Sequence, residues 1–233
     1  MGKRPGIRQA DIYDLAKEAR GLPIFDGIGE NELKAMLHCL QAIERTYKKN
    51  EFILLEGENV AYIGVILSGQ INMLKEDFGG QQSVLAVMGD KELFGETFVC
   101  GSRQDTTVSF QAAVPTRALL LPFHRVLNVC SNNCAFHHQV ITNLVRMIAD
   151  KNMLLMQKVE ISSKKTLREK ILTYLYFLKG QQNSNYIACP LDRQEMASFL
   201  NANRSSLSRE LSLMQEEGIL EYDRNMFHLL RTQ

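Results

Sequence analysis

Five residues between Arg204 and Ser212 have side chains suited to reading the edge of a nucleic-acid base. At roughly 100° per residue, Arg204, Ser205, Ser208, Arg209 and Ser212 fall within about 140° of one another, so a helix through them carries one basic, hydroxyl-rich face. An arginine can hold guanine O6 and N7 with two parallel hydrogen bonds, and serine hydroxyls can meet base edges or phosphates. The start of a helix itself favours phosphate. The same helix puts Leu207, Leu211 and Met214 at i, i+4, i+7, a stripe that has to face a core. The bland alternative is a surface helix that carries a few polar groups.

Other elements must hold such a helix in place. Asp192 with Glu195 reads as an acidic capping box that opens a preceding helix with Met196, Ala197 and Leu200 on its apolar side. Asn201-Ala202-Asn203 breaks that helix, and Asn203 is the expected cap of the second one. Residues 219–222, a turn at 223–225 and residues 226–230 read as a hairpin, which makes the unit a winged helix-turn-helix. Thr166 and Glu169 form another capping box. It opens a helix over 167–178 whose Ile171, Leu172, Leu175 and Leu178 pack under the pair.

Upstream lies a segment with two apolar registers, predicted helical over 136–161. Ile141, Val145, Ile148, Leu155 and Val159 form one seam, interrupted by Asn152, and Val140, Leu144, Met147 and Leu154 form its neighbour. A helix of some 25 residues is about 37 Å long, too long for one small domain to cover. Two seams predict two partners, the chain's own body and the same helix of a second copy, with Asn152 available to fix register. A long helix buried within a monomer is the other reading. Residues 160–165 form the polar break before the reader, so rotation of the long helix is expected to move it.

Between Tyr47 and Pro122 the chain changes to short apolar runs at 52–55, 62–67, 71–74, 84–88, 108–113 and 118–121, broken by glycine pairs and Gly-Asp turns. That spacing predicts an antiparallel sandwich or roll. Ahead of it, helices are expected at 11–20 and 31–41, the second with Leu33, Met36, Leu37 and Leu40 on one face. The fold class is therefore α+β: an N-terminal antiparallel, jelly-roll-like β-roll, a long dimerisation helix and a C-terminal winged helix-turn-helix. The domains divide at 1–127, 128–162 and 163–233.

Composition agrees with this. The 233 residues are 45% apolar and 23% charged, with a formal charge of +1, an ordinary globular balance. From Lys164 onward there are ten basic and eight acidic residues, which suits a sequence-specific reader better than a non-specific coat. No window is apolar enough to span a membrane and the N-terminus lacks a signal-peptide stretch, so a cytoplasmic protein without a membrane partner is expected. Five cysteines, an odd number without a tight framework, fit reduced thiols.

Catalytic and metal readings fare worse. A cupin-like enzyme needs histidines on the strands of its roll, and none of the five lies between Tyr47 and Pro122. No nucleophile elbow or Gly-rich phosphate loop opens a helix. Cys130, Cys134 and His138 stand at i, i+4, i+8 beside His137, a spacing open to zinc or haem iron if a helix runs through them. Ser131-Asn132-Asn133 reads instead as a helix start, which spoils that geometry. Cys39 is most simply a packing residue, and Cys100 reads first as a small buried thiol, with a redox role the other reading. No metal and no cofactor is expected.

The order of roll, long helix and winged helix-turn-helix resembles the CRP/FNR family of bacterial transcription regulators. The resemblance rests on Glu56-Gly57, Leu67-Ser68-Gly69, Gly89-Asp90, Phe94-Gly95-Glu96, Asp192-Arg193-Gln194-Glu195 and the stretch from Asn203 to Arg209. It implies a cyclic-nucleotide-binding-like sensor at 1–127 and a homodimer on an inverted repeat of double-stranded DNA, with RNA polymerase as a further partner. Arg204 and Arg209 match the family's base-contacting arginines. Ser205 falls where many members carry a glutamate, and Arg193 and Gln194 fall where members touch the DNA backbone. The candidate effector residues are Gly95, Glu96, Thr97, Arg103, Thr106 and Thr107. Cyclic-nucleotide members hold the cyclic phosphate with an Arg-Ser pair at the places taken here by Thr106 and Thr107. Cyclic AMP is therefore disfavoured and the effector is unidentified, while a route through Arg103 keeps a cyclic-nucleotide responder open. Met153 to Met156, where members close over the base, suit an apolar or aromatic ligand. A sensor whose helix-turn-helix binds protein is the reading outside DNA regulators.

Overall fold

The computed structural model describes residues 15–77, 79–128 and 135–230. It divides into two compact units, residues 1–149 and 150–233.

The first unit opens with helical residues 15–19 (α1), a 3-10 turn at Pro23–Phe25 and α2 (Glu30–Cys39). Leu15, Ala16 and Ala19 are buried, as are Leu33, Met36, Leu37 and Leu40; residues 11–14 of the expected first helix lie outside the described residues. Eight strands follow, β1 (Ile43–Tyr47), β2 (Phe52–Leu54), β3 (Tyr62–Ser68), β4 (Ile71–Glu76), β5 (Gln82–Met88), β6 (Leu93–Phe94), β7 (Ser109–Ala112) and β8 (Thr116–Pro122). They form two antiparallel four-stranded sheets in the orders β1-β8-β3-β6 and β2-β7-β4-β5. All six expected runs are strands. β1 and β6 were not expected, because three polar residues, Glu44, Arg45 and Thr46, separate Ile43 from Tyr47 and break the alternation, and β6 is only two residues long.

β3 is the strand most fully enclosed. Its five central residues are all buried, the pattern of a strand covered on both faces. Ile63, Val65 and Leu67 face a core built with α1 and α2, whereas Ile66 faces the core between the two sheets, where Phe94 and Phe110 lie. β8 divides in the same way, Leu119 and Leu121 to the first core, Ala118 and Leu120 to the second. Gly64 is required at the β3–β6 crossing, because a Cβ there would lie 2.1 Å from Phe94 Cζ.

After a short α3 (Glu96–Val99) and α4 (Phe123–Leu127), α5 runs from Ala135 to Ser163. Val140 and Leu144 of the neighbour seam are buried in the first unit's helical core, with Ile141, Met147 and Ile148 packed partly against it. Beyond Ile148 the packing stops: Leu154, of the same seam as Val140 and Leu144, is 58% exposed. On the other seam Val145, Leu155 and Val159 are 60–69% exposed. Asn143 anchors the buried part. Its Nδ2 donates to the carbonyls of Ile24 (3.2 Å) and Asp26 (2.8 Å), and its Oδ1 accepts from Gln139 Nε2 (3.1 Å).

The second unit holds α6 (Leu167–Gln182), α7 (Arg193–Phe199), α8 (Arg204–Glu216) and a sheet ordered β10-β11-β9, with β9 at Tyr186–Ala188, β10 at Leu220–Asp223 and β11 at Met226–Leu229. Ile171, Leu175, Met196, Leu207, Leu211, Met214, Leu220 and Phe227 form its core. β9, a third strand on the expected hairpin, was not read from the sequence.

Replacing Asn143 with alanine leaves two backbone carbonyls without their side-chain donor. Urea denaturation of Asn143→Ala is expected to show a loss of about 1–3 kcal/mol. Thr142→Ala, one residue away on the exposed face with its hydroxyl bonded only to the His138 carbonyl, is expected to stay within about 0.5 kcal/mol of the parent.

Candidate nucleic-acid interface and the cassette of the roll

Both capping boxes form. Thr166 accepts from the Glu169 amide and Asp192 from the Glu195 amide, each with the reciprocal carboxylate bond. Asn201 turns the chain between α7 and α8 in the left-handed region, φ 52°. Asn203 stands at the cap of α8 with extended backbone but makes no side-chain cap bond, which departs from the sequence expectation. The first-turn amides of α8 therefore carry no side-chain acceptor.

Leu207, Leu211 and Met214 are wholly buried, and that fixes the opposite side of α8 outward. Arg204, Ser205, Ser206, Arg209 and Ser212 are exposed and Ser208 is half-buried. Among the described residues neither Arg204 nor Arg209 has an acidic partner. Ser212 is less free, its hydroxyl donating to the Ser208 carbonyl at 3.1 Å and lying 3.4 Å from the Tyr222 hydroxyl.

The acidic residues of this segment are gathered elsewhere. Arg168 on α6 donates from Nε to Glu210 (2.6 Å) and from both terminal nitrogens to Glu217 (2.6 and 2.8 Å). The bonds to Glu217, then to Glu210, hold its guanidinium charged even more firmly than usual. At this exposure the pairs add little stability; their larger effect is to fix two carboxylates on the α6 side of α8. Arg168 escaped the sequence reading because its partners lie 42 and 49 residues away.

Arg193, expected on the DNA backbone, is engaged with the wing. Its terminal nitrogen donates to the Arg224 carbonyl at 2.9 Å, and its guanidinium carbon lies 5.1 Å and 5.5 Å from the ring centres of Tyr222 and Phe227. Gln194 beside it is exposed. Arg224 forms the two-residue wing tip with Asn225, and its own side chain is exposed.

In the roll, Gly95 takes φ 78° between β6 and α3, where a Cβ would press on the Tyr62 carbonyl at 3.2 Å. Glu96 is buried, and the exposed Thr97 lies alongside it with its Oγ1 3.4 Å from Glu96 Oε1. Thr106 is also buried, but its hydroxyl closes a local turn, donating to the Val108 carbonyl (2.7 Å) and accepting from the Val108 amide (3.2 Å). Thr107 is exposed, and its carbonyl accepts from Lys75 Nζ at 2.8 Å; the same ammonium pairs with Glu56. Arg103 is exposed on the loop after α3. Cys100 is exposed as well, its thiol raised above its ordinary range by partial burial and the nearby Glu96 carboxylate, the opposite of an activated nucleophile.

The described residues hold no group of three metal-ligating side chains. Cys130 and Cys134 lie outside them. His138 is exposed, and His137 is buried with Nε2 3.9 Å from Cys39 Sγ.

Comparison with known proteins agrees with both halves of this description. Residues 44–133 match the cyclic nucleotide-binding domain and residues 169–233 the Crp-like helix-turn-helix domain. The Cyclic AMP receptor protein of Thermus thermophilus is 23% identical over 201 residues, spanning 86% of this chain and 89% of that protein. Transcriptional activator protein FnrA of Stutzerimonas stutzeri is 24% identical over 222 residues, 92% of this chain and 86% of its own length. Among solved structures, the catabolite activator protein of Thermus thermophilus aligns with a TM-score of 0.51 at 22% identity, covering 89% of this chain and 93% of that one. The chain therefore belongs to the CRP/FNR family, whose members are transcription regulators and not enzymes.

Proposed function

We propose that this protein is a homodimeric, sequence-specific DNA-binding regulator that reads an inverted repeat and responds to an effector held by its roll. The observation that carries the reading is the face of α8, where Arg204 and Arg209 stand exposed beside serines, without an acidic partner among the described residues, while Glu210 and Glu217 are bound to Arg168. Such a helix fits a major groove, with the arginines on guanines and Ser205 as a short, uncharged substitute for a cytosine-accepting carboxylate. Ser208 and Gln194 lie at the edge of that surface, toward bases and backbone respectively. Arg193 serves the same surface by holding the wing.

The seam on α5 supports the dimer. A helix of 29 residues, with Val145, Leu155 and Val159 mostly exposed, has an apolar stripe suited to the same stripe of a second copy. Two reading heads so joined serve half-sites about 34 Å apart, and an effector that alters how the two helices meet alters that separation. RNA polymerase is the further partner of such a regulator. No helix among the described residues is long and apolar enough to cross a membrane, in keeping with work in the cytoplasm.

The effector is not cyclic AMP on this reading. Position 106 offers a hydroxyl already bonded to Val108 where a cyclic phosphate would need a guanidinium. The match to a cyclic nucleotide-binding domain favours one alternative, a cyclic nucleotide held through Arg103, which calorimetric titration with cyclic AMP and cyclic GMP would reveal.

Selection of the purified chain on random duplexes at near-physiological salt is expected to enrich a two-fold symmetric site. On that site Arg204→Ala and Arg209→Ala are each expected to cost about 1–3 kcal/mol and to relax preference at one base position; unchanged affinity by fluorescence anisotropy would remove that arginine from the interface. Arg193→Ala is expected to weaken all duplexes alike while leaving the slope of log K against log salt unchanged, because its charge lies on the wing. A slope lower by about 0.9 would place it on a phosphate instead. Leu155→Asp, at a position already exposed, is expected to yield folded monomers in sedimentation velocity, and a dimer that persists would move the interface off this seam.

A further inference from the structure

Among the described residues, β1 is an edge strand of one sheet of the roll and β2 of the other. A cavity of about 440 Å³ lies between those edges, walled by Tyr47, Ile53, Tyr62, Phe94 and Leu120. It contains none of the candidate effector residues, although its wall residues Val60, Tyr62 and Phe94 adjoin Gly95. Its volume is within the range of small-molecule pockets, about 300–1,000 Å³.

Arg45 is what distinguishes this cavity. Side chains alternate along a strand, and on β1 Ile43, Arg45 and Tyr47 share the side that turns toward the core between the sheets, where Tyr47 is buried and Ile43 is packed against it. Glu44 points the other way, to Arg117 Nε at 2.8 Å. Arg45 is half-buried on that side, and a guanidinium turned partly toward an apolar core gains from a counter-charge. Among the described residues Arg45 has none. Glu58 lines the same cavity without pairing to it, its carboxylate accepting instead from the Leu55 amide at 2.9 Å. One inward cation, aromatic walls and aliphatic walls together describe the complement of a small organic carboxylate with an apolar body. We propose that this cavity binds such an anion, its carboxylate on Arg45 and its body between Phe94, Ile53 and Leu120. The inference concerns the roll alone and does not depend on DNA binding.

Benzoate and phenylacetate, titrated calorimetrically into the full chain, test it against benzamide, which has the body without the charge. Both carboxylates are expected to bind saturably below about 10 mM and to raise the melting temperature, with benzamide binding at least about tenfold more weakly. Arg45→Gln is expected to remove the preference for the carboxylates, and Arg45→Lys to restore part of it. Ile53→Trp, which fills the cavity and keeps the charge, is expected to abolish binding of all three probes, and it serves as the test should the glutamine variant not fold. Carboxylates that bind no better than benzamide would overturn the proposal, as would binding that survives Ile53→Trp. An inward charge can also serve only to keep an edge strand from pairing with other chains. In that case Arg45→Gln increases self-association and the titrations are flat, which equally overturns the proposal.

Discussion

The sensing unit depends on enclosing β3 and β8 from both sides. A strand with one wet face needs only alternate apolar residues; these two carry apolar side chains on both faces and lose stability if either cover is removed. The helical cover is held by α1, α2 and the buried end of α5, and the sheet cover by β2, β4 and β7. Phe94 lies where the two demands meet, because its ring fits only over the bare backbone of Gly64. The residue after Phe94 is Gly95, which starts the cassette, the short α3 and flanking residues that carry the candidate effector residues Gly95, Glu96 and Thr97. The position of the cassette is therefore set by core packing, and a ligand that alters how Phe94 sits acts on a residue already pressed between two sheets.

The second unit is arranged by charge as much as by packing. Its buried stripe sets which side of α8 faces outward, but does not decide what that side presents. Arg168 does that from one flank by binding Glu210 and Glu217, and Arg193 from the other by holding the wing through Arg224, Tyr222 and Phe227. Two arginines bound to the protein frame a face on which two others are left unbound. The near-neutral total charge is consistent with this, because local placement supplies what the sum does not.

What could be read in advance was whatever repeats or sits close along the chain. The 3.6-residue period located α2, α5, α6 and α8, the glycine-punctuated runs located six strands, and both capping boxes involve partners three residues apart. Features that bring distant residues together were not legible. β1 was hidden because Arg45 occupies an inward position that a pattern search reads as outward, and β9 because three residues joining a hairpin edge have no period of their own. Arg193 has a residue type that suits phosphate, and only the folded wing shows a carbonyl and two rings within its reach. Leu154 continues the seam of Val140, Leu144 and Met147, yet the packing of that seam against the first core stops at Met147, while the periodicity continues regardless.

The missing cap on α8 has its own consequence. A side-chain cap contributes about 1 kcal/mol to a helix start, and Asn203 withholds it although its residue type is among the best suited to provide it. The first turn of the reading helix is thus held by packing at Leu207 and by the Leu207 amide bond to the Asn203 carbonyl at 2.9 Å, with nothing satisfying the amides ahead of it from the side. An anion that docks there completes the helix as well as meeting it. If this helix reads DNA as proposed, the order its first turn gains on docking would subtract from affinity wherever the fit is poor, so that turn would favour correct over approximate contacts.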